Sequence, residues 1–177
     1  MSVSLETPRL RLRQWRPEDL DGFAALMAEP EVARFLSHDQ QPMDRATAWW
    51  HMALLVGHWG MRGYGLFVVE EKATGAWVGR VGPWQPEGWP GFEIGWALRR
   101  QFWGKGYATE AARAAGNWAF AEFGLTRIVS LIHDDNLASR KVAARLGETA
   151  GEQVQHAGQP HTVWSASREA WRAAATR

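Results

Sequence analysis

The chain has 177 residues, a length typical of a single domain. Its 20 basic and 19 acidic residues give a net charge of +1, which argues against the basic surface of a nucleic-acid-binding protein, so no direct nucleic-acid partner is expected. The absence of cysteine excludes disulfides, thiolate metal sites and a cysteine nucleophile. No apolar signal core or membrane-spanning run occurs, so we expect a cytoplasmic protein without membrane contact.

The first third of the sequence predicts one strand and two helices. Residues 9–13 alternate arginine with leucine, a pattern typical of a half-buried strand with a solvated arginine face. Pro17 suits a first helical position, and the helix is expected to end at Pro30. Residues 44–58 predict a second, tryptophan-rich helix.

A hairpin and an irregular loop are predicted next. Residues 66–71 and 77–81 read as two strands joined by a short turn that contains glycine. Residues 83–90 include three prolines and are expected to form no regular element. Two tryptophans in this loop suggest a packed rim over a binding site, with ordinary surface packing as the alternative.

The central strand is predicted over residues 91–99, GFEIGWALR. Its core face carries four apolar residues: Phe92, Ile94, Trp96 and Leu98. The opposite face carries Glu93 beside the small residues Gly95 and Ala97, which leaves room for a ligand along the strand.

The rest of the chain alternates further helices and strands. Residues 107–123 predict a helix that ends at Gly124, and the apolar residues 127–133 predict a strand covered on both faces. Asn136 is placed to cap a helix over residues 137–146, which Gly147 ends. Weaker strands at 148–155 and 161–167 precede an Ala-rich tail.

A glycine loop joins the central strand to the following helix. In the sequence QFWGKGYAT of residues 101–109, Gly104 and Gly106 can adopt positive φ and let an anion approach backbone N–H groups at the helix N-terminus. Lys105 is unfavourable beside a helix N-terminus unless an anion is also bound. A lone Gly-x-Gly is a weak motif, but Walker A and Rossmann patterns do not fit these residues.

This segment resembles the coenzyme A signature of the GCN5-related N-acetyltransferases (GNAT), in the form of the RimJ/RimL-type ribosomal-protein N-terminal acetyltransferase branch. Four further segments resemble that branch in its order: residues 6–13, 17–20, 29–32 and 136–147. The resemblance extends from Leu5 to about Ser165. It implies a single α/β domain over residues 1–177, with a core at about 5–168, a mixed and mostly antiparallel sheet, splayed central strands and flanking helices.

The same resemblance implies acetyl-CoA as the acyl donor. The pantetheine arm is expected on the main chain of Ala97, Leu98 and Arg99, with a backbone N–H there as the oxyanion site. The remaining cofactor contacts are expected from the loop and the late helix: Gln101, Phe102, Trp103, Gly104, Lys105, Gly106, Tyr107, Ala108, Thr109, Asn136 and Ser139.

Acetyl transfer to an amine needs a base, and Glu93 is the candidate, with a structural or salt-bridged glutamate as the alternative. The tyrosine acid of many family members is replaced by Ala143, so Ser139 is the candidate group that assists the leaving thiolate, unless it only caps the helix. Asn136 is open to both capping and cofactor binding. Glu148 replaces the family's usual aromatic residue, which leaves the acceptor wall beside it uncertain.

The acceptor is an amine whose identity stays open. The branch resemblance favours a peptide N-terminus, while a polyamine, an amino acid or an antibiotic amine are the small-molecule alternatives. A non-catalytic acyl-CoA-binding regulatory module is the alternative from another functional class. No metal is expected, because the six histidines show no HExxH or similar spacing, and the chain is expected to be a monomer or homodimer.

Overall fold

The computed structural model describes residues 3–176, which form eight strands and six helices. The strands are β1 (Ser4–Glu6), β2 (Leu10–Arg13), β3 (Phe67–Glu71), β4 (Trp77–Trp84), β5 (Glu93–Leu98), β6 (Arg127–His133), β7 (Thr149–His156) and β8 (Gln159–Ser167). The helices are α1 (Leu20–Met27), α2 (Pro30–Leu36), α3 (Arg45–Arg62), α4 (Tyr107–Glu122), α5 (Leu137–Leu146) and α6 (Arg168–Ala174). Within this described range, no helix is long and apolar enough to span a bilayer.

All eight strands belong to one sheet in the order β1-β2-β3-β4-β5-β6-β8-β7. Every neighbouring pair is antiparallel except β5 and β6, which are parallel and share one registered pair, Glu93 with Val129. Beyond that pair the two strands separate. The predicted mixed sheet with splayed central strands is therefore confirmed.

The two faces of the sheet bury different helices. Ile94 and Leu98 of β5 lie in a core cluster with α4, as the alternation predicts. Ala97 lies in a second cluster formed with residues of α1, α2 and α3. Glu93 and Gly95 share the face of Ala97, so the carboxylate of β5 points toward the side of the sheet covered by α1–α3.

The solvated arginine face predicted for β2 is wrong at Arg13. Its side chain is buried and donates to Asp19 at 2.7 and 2.8 Å and to Glu70 at 2.7 Å. Two carboxylates therefore satisfy a charge that would otherwise be costly to bury. Arg9 and Arg11 follow the prediction as exposed residues, and Arg11 is paired with Glu6.

Two prolines act differently from the prediction. Pro30 does not simply end a helix, because it occupies the first turn of α2, where a missing N–H costs nothing. Pro83 lies within β4, opposite Ile94 of β5. Pairing of β3 with β4 has already ended at Val81, so no neighbouring strand needs the N–H that Pro83 lacks.

The Ala-rich tail, which the sequence analysis placed outside the core, forms α6. Its Trp171 is fully buried in the cluster with α4, and its indole N–H donates to Asn117 Oδ1 at 2.9 Å. A Cβ at Gly116 would lie 2.2 Å from Cζ2 of Trp171, so the glycine permits the indole to pack against α4. The packed core thus extends beyond residue 168.

We expect Trp171→Ala to lower the free energy of unfolding by about 3–5 kcal/mol, because it opens a large cavity between α4 and α6. Trp50→Ala is the matched control, since Trp50 is 69% exposed and its loss should change stability by less than about 0.5 kcal/mol. Urea unfolding measures both. Equal effects of the two changes would show that α6 is not part of the cooperative core.

Candidate active site

The glycine loop between β5 and α4 has the conformation that the sequence indicates. Gly104 and Gly106 adopt φ of 75° and 80°, a region that L-residues disfavour. A Cβ built on Gly104 would meet nothing within 4 Å, so the space above the loop is open. The Nζ of Lys105 lies 5.1 and 5.8 Å from the ring centroids of Phe102 and Tyr107.

Ion pairs hold the loop at both ends. Arg9 donates to Glu110 in the first turn of α4 at 2.7 Å and to the carbonyl of Lys105 at 2.9 Å. Glu29 accepts from the backbone N–H of Arg100 at 2.8 Å. The loop is therefore fixed before a ligand arrives, and Arg9, which the sequence analysis did not select, places a second cation beside Lys105.

These residues fit the pyrophosphate of a coenzyme. The first N–H groups of α4 have no partner within the helix, and the helix dipole adds partial positive charge there. The hydroxyl of Thr109 in the same turn is buried without a hydrogen-bond partner among the described residues. Unpaired donors, the Lys105 ammonium and open space together favour a bound anion, whereas Arg9 is already paired with Glu110.

Several predicted cofactor residues can contribute only main-chain groups. The side chains of Leu98, Phe102 and Tyr107 are buried in the core cluster, and the Tyr107 hydroxyl donates to Glu71 at 2.5 Å. Trp103 is 45% exposed, yet its indole donates to the carbonyl of Leu98 at 2.7 Å. Gln101 is exposed and Ala108 half-buried beside the loop.

The backbone N–H groups of β5 that face the gap to β6 are shifted by one residue from those expected. The N–H of Arg99 donates to Val78 of β4 at 2.9 Å, so it is not free for pantetheine. Because backbone groups alternate along a strand, Ala97 also faces β4, while Trp96 and Leu98 direct their N–H groups toward β6. The N–H groups of Ala97 and Arg99 are therefore paired within the sheet, and Trp96 and Leu98 carry the N–H groups that face the gap.

A cavity of about 420 Å³ lies beside the gap between β5 and β6. Its lining includes all three polar candidates from the sequence: Glu93, Asn136 and Ser139. Trp84 and Trp89 line it as well, in the segment where the sequence predicted a tryptophan rim. Its volume is within the range of small-molecule sites.

Glu93 is held in this cavity with only 8% of its surface exposed. The indole N–H of Trp89 donates to its carboxylate. Burial raises the pKa of Glu93 to about 7, although Trp89, the backbone N–H of Leu131 and Arg80 each oppose that rise. A carboxylate with a pKa near neutrality can exchange a proton with an amine at physiological pH.

Ser139 and Asn136 have separate roles at the start of α5. Asn136 caps the helix, since its side-chain oxygen accepts from the N–H of Ser139 at 3.0 Å. The hydroxyl of Ser139 accepts from the indole of Trp96 at 3.2 Å, so its own hydrogen stays available to donate. Ala143, in place of the family's tyrosine, is fully buried.

Glu148 is buried beneath the gap rather than placed in an acceptor wall. The Ser130 hydroxyl lies 2.8 Å from the carbonyl of Ile94 and 2.9 Å from Glu148. A hydroxyl has one hydrogen, and a protonated Glu148 satisfies both contacts because it donates to Ser130 while Ser130 donates to Ile94. Burial and the nearby Glu93 agree with this state, because they raise the pKa of Glu148 to about 8.

The histidines form a spatial group that sequence spacing did not reveal. Five of the six line this cavity and a second one of about 300 Å³ beside it: His38, His51, His133, His156 and His161. They come from α3, β6, β7, β8 and the segment after α2, so only the tertiary fold brings them together. Across residues 3–176, no three metal-ligating side chains are placed to hold a metal ion.

Glu148 gives the fold a measurable pH dependence. Its pKa is about 8 in the folded protein against an ordinary 4.5, so between about pH 5 and 8 the folded state binds more protons than the unfolded state and stability falls as pH rises. Glu148→Gln keeps a donor for Ser130 and removes this titration. We therefore expect the difference in melting temperature, variant minus wild type, to become more positive as pH rises from 5 to 8.

Thermal unfolding across that range measures the effect, and Glu152→Gln, an exposed position on β7, is the control. Parallel profiles for wild type and Glu148→Gln would contradict the assignment of a protonated Glu148.

Comparison with known proteins agrees with this geometry. Residues 9–149 match the Acetyltransferase (GNAT) domain family. YkkB of Bacillus subtilis is 33% identical over 170 residues, which cover 92% of this chain and 94% of YkkB.

Solved structures share the fold. The acetyltransferase of Agrobacterium tumefaciens superposes with a TM-score of 0.81 at 28% identity, covering 93% of this chain and 94% of that one. RimJ of Mycobacterium smegmatis, solved with CoA-disulfide, has a TM-score of 0.74 at 20% identity. The match covers 95% of this chain and 87% of that one. The chain therefore belongs to the GNAT family of acetyltransferases.

Proposed function

We propose that this protein transfers the acetyl group of acetyl-CoA to a primary amine by direct attack in a ternary complex. The observation that carries the proposal is the placement of Glu93 and Ser139 on one cavity beside the gap between β5 and β6. A base for the amine and a donor for the leaving group thus share one site.

In this proposal each part of the donor has its own binding groups. The N–H groups of residues 104–109, with Arg9 and Lys105, bind the pyrophosphate, and the free N–H groups of Trp96 and Leu98 bind the pantetheine arm. Acetyl-CoA supplies a thioester whose carbonyl carbon the amine attacks. A β5 N–H that faces the gap stabilises the oxygen charge that develops during attack.

Glu93 is the base that takes the proton from the acceptor amine. An α-amine has a pKa of about 7.7–8.0 and a lysine amine about 10.4, so either arrives partly or mainly protonated near neutral pH. The Glu93 carboxylate, with its pKa raised to about 7, accepts the proton that the amine nitrogen loses as the new C–N bond forms.

Ser139 serves the leaving group. As the C–S bond breaks, the thiolate acquires negative charge and needs a hydrogen-bond donor. Trp96 already donates to the Ser139 oxygen, so the hydroxyl hydrogen is directed elsewhere and the cavity is the open direction. A thiol pKa of about 8.5 means that a hydrogen bond, rather than a strong acid, is enough.

The acceptor is either a peptide N-terminus, which the RimJ/RimL resemblance favours, or a small amine. The structures of that branch are about 20% identical to this chain and support the fold, not the acceptor. A non-catalytic acyl-CoA-binding module is the competing function. Release of free CoA in the presence of an amine distinguishes an enzyme from a binding protein.

Gly106→Val should weaken acetyl-CoA binding at least tenfold, because the new side chain disfavours φ of 80° and obstructs the approach of phosphate. Gly63→Val is the control, since Gly63 has φ of 74° and open space around it but ends α3. Calorimetric titration with acetyl-CoA measures both. Equal acetyl-CoA affinity in the two variants would show that the glycine loop does not bind the pyrophosphate.

Glu93→Gln should lower kcat/KM for the amine by about 10²–10⁴-fold and leave acetyl-CoA affinity nearly unchanged. In the wild type kcat/KM should rise as pH passes about 7, where Glu93 ionises; the variant should lack that inflection and recover partly at alkaline pH, where the amine arrives neutral. Glu152→Gln provides the exposed control. Near wild-type rates for Glu93→Gln at every pH would show that Glu93 is not the base.

Ser139→Ala should lower kcat/KM less than Glu93→Gln does. The loss should shrink with acyl donors whose thiols are more acidic, because those thiolates leave more easily. Steady-state rates with two acyl thioesters of different thiol pKa measure this. An equal defect with both donors would exclude a role in thiolate departure.

A further inference from the structure

We propose that the amine acceptor also carries a carboxylate and that Arg80 binds it, so that the substrate is an amino-acid-like zwitterion. This inference rests on the proposed acetyl transfer and concerns the same cavity.

Arg80 faces the cavity from the same side of the sheet as Glu93. It lies opposite Ala97 in the β4–β5 register, and Trp84 lies opposite Glu93. The Cα atoms of Arg80 and Trp84 are therefore about 13 Å apart along β4. Both Arg80 and Glu93 line the cavity, and their charged groups are near enough for each to shift the pKa of the other, so one small zwitterion can place its amine at Glu93 and its carboxylate at Arg80.

Arg80 lacks the partners that a buried cation normally has. Among the described residues, its Nε is buried with no hydrogen-bond partner, although the residue as a whole is half-buried. Arg13 provides the internal comparison, since its buried guanidinium is paired with both Asp19 and Glu70. Burying a charge without hydrogen-bonded partners is costly, so an anion bound in the cavity would stabilise Arg80 as Asp19 and Glu70 stabilise Arg13.

The charge of the surroundings favours the same ligand. Among the described residues that line the two adjoining cavities, Arg34 and Arg80 are the arginines and Glu93 is the one carboxylate. Five histidines add further hydrogen-bond donors. A substrate ammonium is attracted to Glu93, whereas a substrate carboxylate matches the excess of cationic groups around it.

Arg80 has an alternative role as a counter-ion that only tunes Glu93. The two groups do influence each other, because Glu93 raises the pKa of Arg80 while burial, the larger effect, lowers it to about 10. A tuning role would change the pH profile of every amine equally. A carboxylate-binding role changes the KM of acids and not the relative rates of neutral amines, so kinetics can separate the two.

The test uses matched pairs of free L-amino acids and their C-terminal primary amides, with CoA release followed at saturating acetyl-CoA. We expect kcat/KM to be at least tenfold higher for the preferred acid than for its amide. Arg80→Gln should remove that preference by raising the KM of the acid, and Arg80→Lys should keep part of it. Arg127→Gln, an exposed arginine on β6, should retain the wild-type preference.

A second pair of probes identifies the source of the carboxylate: C-terminally amidated dipeptides with Glu or Gln as the second residue. Arg80-dependent preference for the Glu peptide would support the carboxylate site and assign it to an acidic peptide N-terminus. Equal kcat/KM for the charged and the neutral member in both sets of probes, or an unchanged preference in Arg80→Gln, would overturn the inference while acetyl transfer stands. Absence of CoA release with every amine would overturn the proposed function and this inference with it.

Discussion

The separation of β5 from β6 is the constraint on which the site depends. The parallel pairing begins with the N–H of Val129 donating to Phe92 at 2.9 Å and stops after one registered pair. In place of the next ladder bond, the Ser130 side chain reaches Ile94, and farther along Trp96 spans the gap to Ser139. Side chains therefore span the gap in place of backbone hydrogen bonds, and backbone donors of β5 stay without the partners that a regular sheet would provide.

Burial sets the chemistry around this gap. Glu93 and Glu148 are both buried near each other, and removal from water raises both pKa values. Glu148 has Ser130 as its partner and stays protonated as a structural donor, while Glu93 faces the cavity with a pKa of about 7 and is able to cycle between its two states. Two carboxyl groups thus acquire different tasks because one is enclosed and the other borders the cavity.

Sequence reasoning found those features that depend on local pattern. Alternation in residues 91–99 placed Glu93 opposite the core face, and two closely spaced glycines predicted an anion site before α4. It failed where distant segments meet. The five histidines come from separate elements, the partners of Arg13 lie in a 3₁₀ turn and in β3, and the burial of Trp171 depends on Gly116, 55 positions earlier.

The N–H groups of β5 that face the gap are a second case in which tertiary contacts decide what the sequence pattern leaves open. Sequence reasoning placed the pantetheine contacts at residues 97–99. Strand pairing with β4 decides which N–H groups are free, and it leaves those of Trp96 and Leu98 rather than those of Ala97 and Arg99. Arg80 has no local signal at all. Its lack of a partner becomes visible only when α3 and the sheet enclose it.

A crystal structure of the protein with CoA tests the central claim most directly. The account predicts pyrophosphate density on the N–H groups of residues 104–109, the pantetheine arm along Trp96 and Leu98 within the gap, and the thiol beside Ser139 at the cavity that contains Glu93. Density for CoA on another surface, or a pantetheine arm outside the gap between β5 and β6, would contradict it.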